Sequence, residues 1–183
     1  MQPNLKRYAI AAAIGAGVWP SLLQGRALAA SCRIERMAYA PTDDLEAIDA
    51  ALIGSARKRI DLAAYVLTDG AIVRALDAAA ARGVRIRIYR DGGGVNLAPM
   101  PAPLAQAWAQ LVARPNVEAR FKAEPAPLMH LKAYAVDGAA LREGSSNFSH
   151  DGLTRQDNSL IVLRCRAAAH AFERAFEVMW GRK

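Results

Sequence analysis

Five residues in the last third of the chain have types and spacing suited to chemistry. His130 and Lys132 lie two apart in the run His130-Leu131-Lys132-Ala133-Tyr134-Ala135-Val136-Asp137. In a β-strand, residues two apart share a face, so an imidazole would sit beside an ammonium. Asp137-Gly138 is a hairpin signal. The returning segment, Ala139 to Glu143, would bring Ser145 and Asn147, again two apart, back to the same end. A nucleophile or base, a fixed cation, a hydroxyl and a carboxamide would then converge on one small volume. Such a set can grip an anionic tetrahedral group and attack it.

The elements that must position these groups follow from periodicity. Arg33 to Tyr39 alternates and reads as a strand, closed by Pro41-Thr42-Asp43-Asp44. Thr42 or Asp43 would cap a helix with the apolar stripe Leu45, Ile48, Ala51, Leu52 and Ala56. Ile60 to Leu67 is an apolar strand, and Asp69-Gly70 restarts a helix that runs to Arg82, with Gly83 as its stop. Val84 to Tyr89 alternates apolar residues with Arg. Asp91-Gly92-Gly93-Gly94 reads as a flexible connection and Asn96 to Pro103 as a Pro-broken loop, a candidate flap. Leu104 to Ala113 is a short helix and Val117 to Lys122 a strand, and Glu124 to Pro127 turns the chain towards His130. Phe148 to Gln156 reads as a loop bearing an exposed His150, followed by a strand from Asn158 to Leu163 and a helix from Ala167 to Trp180. Strands alternating with helices predict an α/β fold, a parallel or mixed sheet with helices on its faces. The length suits a single domain.

The pattern His130-x-Lys132, four residues, Asp137, then Gly144-Ser145-Ser146-Asn147 resembles the signature of the phospholipase D superfamily. Ile60-Asp61-Leu62-Ala63-Ala64-Tyr65 and the tail after Asn147 look like its small, single-motif bacterial nuclease branch. The resemblance spans about Arg33 to Trp180 and implies a mixed sheet sandwiched between helices. It assigns His130 as a nucleophile that forms a phosphohistidine. Lys132, Ser145 and Asn147 would hold the phosphoryl oxygens, and Asp137 would order the hairpin or a neighbouring donor. A Glu usual in that branch before the last strand is replaced here by Asn158, with Asp157 beside it. These two are the candidates for orienting the histidine. The family uses a second motif histidine to protonate the leaving group, and this chain has one copy. The resemblance therefore implies a homodimer with a shared site. Side chains supply the cation, so neither a cofactor nor a metal is called for.

Composition sets outer bounds. The chain has 183 residues, 53% apolar, with a formal charge of +7. Lys6, Arg7 and Arg26 precede the first acid, and without them 21 basic residues face 17 acidic ones. That mild excess suits a polyanion or an anionic head group. Lys6-Arg7, an apolar run from Tyr8 and the small-x-small Ala27-Leu28-Ala29 predict a secretory signal peptide over residues 1–29, with the catalytic domain over 30–183. The product would be periplasmic or secreted, with no membrane span in the mature chain. Cys32 and Cys165 could form a disulfide, Cys32 could be lipidated, or both thiols could be free. Cys and His spacing gives no zinc pattern. Three functions compete: a non-specific DNA or RNA endonuclease, a phospholipase D acting on phosphatidyl head groups, and a silent nucleic-acid-binding module.

Overall fold

The computed structural model describes residues 32–93, 100–122 and 127–181. The segment read as a signal peptide lies outside them, as do residues 96–99 of the flap and 124–126 of the turn before His130.

Seven strands form one mixed sheet: β1 (Arg33–Ala40), β2 (Arg59–Ala64), β3 (Arg85–Arg90), β4 (Val117–Phe121), β5 (Lys132–Val136), β6 (Ala140–Gly144) and β7 (Asn158–Arg164). Their order across the sheet is β1-β7-β6-β5-β2-β3-β4. β2, β3 and β4 run parallel, and the other neighbours pair antiparallel. The helices are α1 (Leu45–Gly54), α2 (Gly70–Ala81), α3 (Ala102–Val112), α4 (His150–Thr154) and α5 (Arg166–Trp180).

The two faces of the sheet carry separate cores. Leu45, Leu52 and Ile53 of α1 and Ile72, Val73 and Leu76 of α2 pack on Ile60, Leu62, Ile86, Ile88 and Tyr134. On the other face, Phe172, Phe176, Met179 and Trp180 of α5 cover Ala63, Tyr89, Ala133 and Ala135. The alternation along β5 explains the split, because Tyr134 enters the first core while Ala133 and Ala135 enter the second. The expected fold, a mixed sheet sandwiched between helices in one unit, is present.

Local departures have physical causes. Asp44 caps α1, accepting from the Ala47 amide at 2.9 Å, whereas Asp43 turns back to the Tyr39 amide at 2.8 Å. The segment read as a loop after Asn147 contains α4, capped by Ser149, which accepts from the Gly152 amide at 3.2 Å. A five-residue helix with a Gly in it carries too little periodicity to be read from sequence. The strand read from Ile60 to Leu67 is shorter: β2 ends at Ala64, the chain bends at Tyr65, and Leu67 makes only a single bridge to Phe148. Among the three readings of the cysteines, the structure contains the disulfide, Cys32 to Cys165. No described helix is long and apolar enough to cross a membrane.

Candidate active site

The site grows from the antiparallel pair β2 and β5. Their ladder closes with Ala64 opposite Lys132, and the Tyr65 amide then donates to the Leu131 carbonyl at 2.8 Å. His130 therefore stands just beyond the sheet, exposed, at the carboxyl end of β2. Its ring lies against that of Tyr65, with centroids 4.6 Å apart and planes tilted by 51°. The residue before it is pinned as well, because the Met129 amide donates to Asp91 Oδ2 at 2.7 Å. Asp91 is buried and also accepts from the Gly93 amide at 3.0 Å. Asp91, read only as part of a flexible connection, thus anchors the approach to His130.

Lys132 is buried, and its Nζ lies 3.0 Å from each His130 ring nitrogen and 2.8 Å from the His130 carbonyl oxygen. It also sits 4.9 Å from the Tyr65 ring centroid. Burial pulls its pKa below the ordinary lysine value. Imidazole and ammonium are thus side by side as expected, with His130 placed just before β5 rather than within it.

Behind this pair lies a buried ionic network. Arg142 donates from Nε to Asp49 Oδ1 at 2.9 Å and from Nη2 to Asp49 Oδ2 at 2.8 Å, and both side chains are fully buried. The same guanidinium donates to the Lys132 carbonyl at 2.7 Å and to Ser146 Oγ at 2.6 Å. Tyr134 donates to Asp49 Oδ1 at 2.8 Å. Burial raises the Asp49 pKa, and the charge of Arg142 opposes that rise. One guanidinium therefore ties the backbone of β5 at Lys132 to the loop that carries Ser145 and Asn147. Neither Asp49 nor Arg142 was picked out by sequence reasoning. The available signals were a carboxylate within the apolar stripe of α1 and an Arg within the return strand.

The end of β6 brings the second group of residues. Ser145 is exposed, donates to Asn158 Oδ1 at 2.9 Å and accepts from the Ser159 amide at 2.9 Å. Gly144 allows this approach, since a Cβ there would stand 2.1 Å from the Ser159 carbonyl oxygen. Asn158 donates in turn to the Gly152 carbonyl at 3.0 Å, linking Ser145 to α4. Asp157 is exposed and lines the same surface depression as Ser145 and Asn158. Asn147 is half-buried, and its Oδ1 finds no hydrogen-bond partner among the described residues. A buried polar atom in that condition is unusual and marks a place where another polar group is wanted.

Asp137 does not join this group. It lies at the far end of β5, about 3.3 Å per residue along the strand from His130, in a left-handed conformation with φ 55°. Its carboxylate accepts from the backbone amides of Arg57, Lys58 and Arg59 at 2.8 to 2.9 Å. Partial burial pushes its pKa up, but those three hydrogen bonds outweigh it and hold the carboxyl below its usual range. His150 and His170 also lie apart from His130: His150 faces Glu46 at 3.5 Å and His170 pairs with Glu173 at 2.8 Å.

Comparison with known proteins gives a consistent picture. Residues 50–180 match the family model described as "Cardiolipin synthase, PLD-like domain". A search of curated proteins finds no match. Among solved structures, Nuc from Salmonella typhimurium, a phospholipase D family member, superposes with a TM-score of 0.72 at 24% identity, covering 82% of this chain and 95% of that one. NucT from Helicobacter pylori gives 0.68 at 19% identity, covering 82% and 96%. Polyphosphate kinase from Porphyromonas gingivalis gives 0.64 at 14% identity, with 91% of this chain matching 28% of that one. At these identities the likeness is one of fold.

Proposed function

Because the chain belongs to the phospholipase D-like family, we propose that it is a phosphodiesterase whose chemistry needs no metal, most simply a non-specific endonuclease on DNA or RNA. The observation that carries this reading is the exposed His130 ring with the Lys132 ammonium 3.0 Å from its nitrogens. A ring nitrogen of His130 attacks phosphorus, and the bond to one ester oxygen breaks. Lys132 holds the charge that builds on a non-bridging oxygen. Ser145 and Asn147 add hydrogen bonds from the β6 side, with the amide group of Asn147 available to donate. The product of this step is a phosphohistidine and a free alcohol. Water then attacks the phosphorus, the P–N bond breaks and the phosphate monoester leaves.

The leaving oxygen needs a proton. The His130 of the partner subunit in a homodimer can supply it, then accept a proton from the attacking water. Exposed apolar side chains near the site support such an interface. Leu128, Leu131 and Val178 line the same shallow cleft as His130. Ile34, Met37 and Tyr39 on the edge strand β1 are also more than half exposed. We further propose export to an oxidising compartment, in keeping with the Cys32–Cys165 disulfide and the N-terminal segment.

The test offers the purified protein plasmid DNA, RNA and phosphatidylcholine vesicles separately, each with EDTA. Cleavage of nucleic acid without lipid hydrolysis is the expected result. Lipid hydrolysis alone would replace the nuclease with a phospholipase. Binding of DNA with no turnover of any substrate would leave only a binding module. Sedimentation should show a dimer, and a fully active monomer would remove the shared site.

A further inference from the structure

Away from His130, three metal-ligating side chains meet where three helices begin. Glu46 lies in the first turn of α1, Asp69 caps α2, and His150 opens α4. One donor atom from each lies within 4.8 Å of the other two. We propose that Glu46, Asp69 and His150 bind a divalent transition-metal ion of the zinc type, which clamps α4 against α1 and α2.

The geometry is close to what such an ion needs. Tetrahedral zinc with bonds of about 2.0–2.1 Å sets its donors roughly 3.4 Å apart. His150 Nδ1 and Glu46 Oε2 stand at 3.5 Å. The remaining approach requires only small movements of Glu46 and His150, whose side chains are 28% and 60% exposed. Asp69, only 2% exposed, forms the floor. Its Oδ1 accepts from the Ile72 amide at 2.9 Å, so ligation would use the other oxygen. The His150 side chain is exposed, so solvent can supply a fourth ligand.

The donor set points to the class of ion. One imidazole and two carboxylates suit zinc or a neighbouring first-row ion. Calcium wants six to eight oxygens, and magnesium holds its waters and prefers oxygen donors. The electrostatics also favour a dication. Two carboxylates, one of them buried, have oxygens within 4.8 Å of each other and of one imidazole nitrogen, an arrangement a dication would hold together.

The site bears on the neighbouring loop. The amides of Thr68 and Asp69 donate to the Phe148 carbonyl at 2.8 and 2.9 Å, and the Phe148 amide donates to Val66 at 3.1 Å. These bonds zip the strap carrying Asn147 to the segment before α2. An ion on His150 and Asp69 closes that zip from the other side. The inference does not depend on the proposed reaction, because it concerns binding in the absence of substrate.

The test uses the full purified chain, stripped with EDTA and moved to chelator-free buffer. ZnCl2 is titrated by calorimetry and by thermal unfolding, with MgCl2 as comparison. One zinc per chain is expected, with a rise in Tm of about 5 °C near saturation and no rise with magnesium. His150→Ala and Glu46→Gln should each weaken zinc binding at least about tenfold while the metal-free Tm stays close to that of the parent. His130→Ala and His170→Ala should bind zinc as the parent does. Absence of one-to-one binding, or parental affinity in either His150→Ala or Glu46→Gln, would overturn the proposal. So would loss of binding in the His130 or His170 variant alone.

Discussion

At the amino end of β5, His130 stands in solvent beside an ammonium, with its ring resting on Tyr65. At the carboxyl end, Asp137 is enclosed by three backbone amides of the segment entering β2. Both residues belong to one short sequence signature, yet they sit at opposite ends of a five-residue strand. The first is exposed and touches the Lys132 ammonium, and the second has its acceptors engaged by the backbone. Shared membership in a motif therefore does not mean a shared site. One end presents the groups proposed to react, and the other ties the hairpin to the segment entering β2.

The contrast can be tested by breaking each end in turn. His130→Ala should lower phosphodiester turnover on the order of a million-fold, as loss of a nucleophile does. Its thermal stability should change little, because the side chain is exposed. A large fall in Tm would make His130 structural. Asp49→Ala tests the network behind the reactive end. It strands the fully buried Arg142 and should cost about 3–5 kcal/mol in denaturant unfolding. A loss below 1 kcal/mol would show that Arg142 finds another partner.

Asp137→Ala should cost about 2 kcal/mol or more, the scale of hydrogen bonds to a charged group. The folded fraction should keep most of its turnover. Activity falling as far as in His130→Ala, at unchanged stability, would put Asp137 in the chemistry after all. The smallest effect is in acid. The Asp137 pKa is held below its ordinary 3.8 in the folded chain. Its contribution is therefore complete above about pH 4 and fades as pH falls through the lower folded value. Unfolding curves between pH 5 and 2 should show that loss in the parent, and less of it in Asp137→Asn.

The fold was largely legible because its signals are local. Alternation marked β1, β3 and β5, and the helical stripe of α1 and the restart of a helix at Asp69-Gly70 also lay where expected. The adjacency of His130 and Lys132 is expected from the two-residue repeat of a strand, and it is present although His130 itself stands just before β5. The short helix α4 was missed, since five residues hold hardly more than one turn. The cap of α1 was placed one or two residues early, at Thr42 or Asp43, because Thr42, Asp43 and Asp44 are all capable caps, and only the turn geometry selects Asp44.

Contacts between distant residues were not legible. Asp49 in an apolar stripe signalled a partner but could not name one, and Arg142 meets it only once β6 is laid beside β5 under α1. The grip of Asp91 on Met129 and the bond of Ser145 to Asn158 likewise depend on which strand ends the topology brings together. The cysteines allowed three outcomes until the start of β1 was set beside the start of α5. Residue type and spacing by themselves pointed to the His130–Lys132 pair and to most of the strands and helices around it, because local periodicity acts over a few residues. Strand order decided who partners the buried charges and what Asp137 is for, because those contacts exist only after the chain has closed on itself.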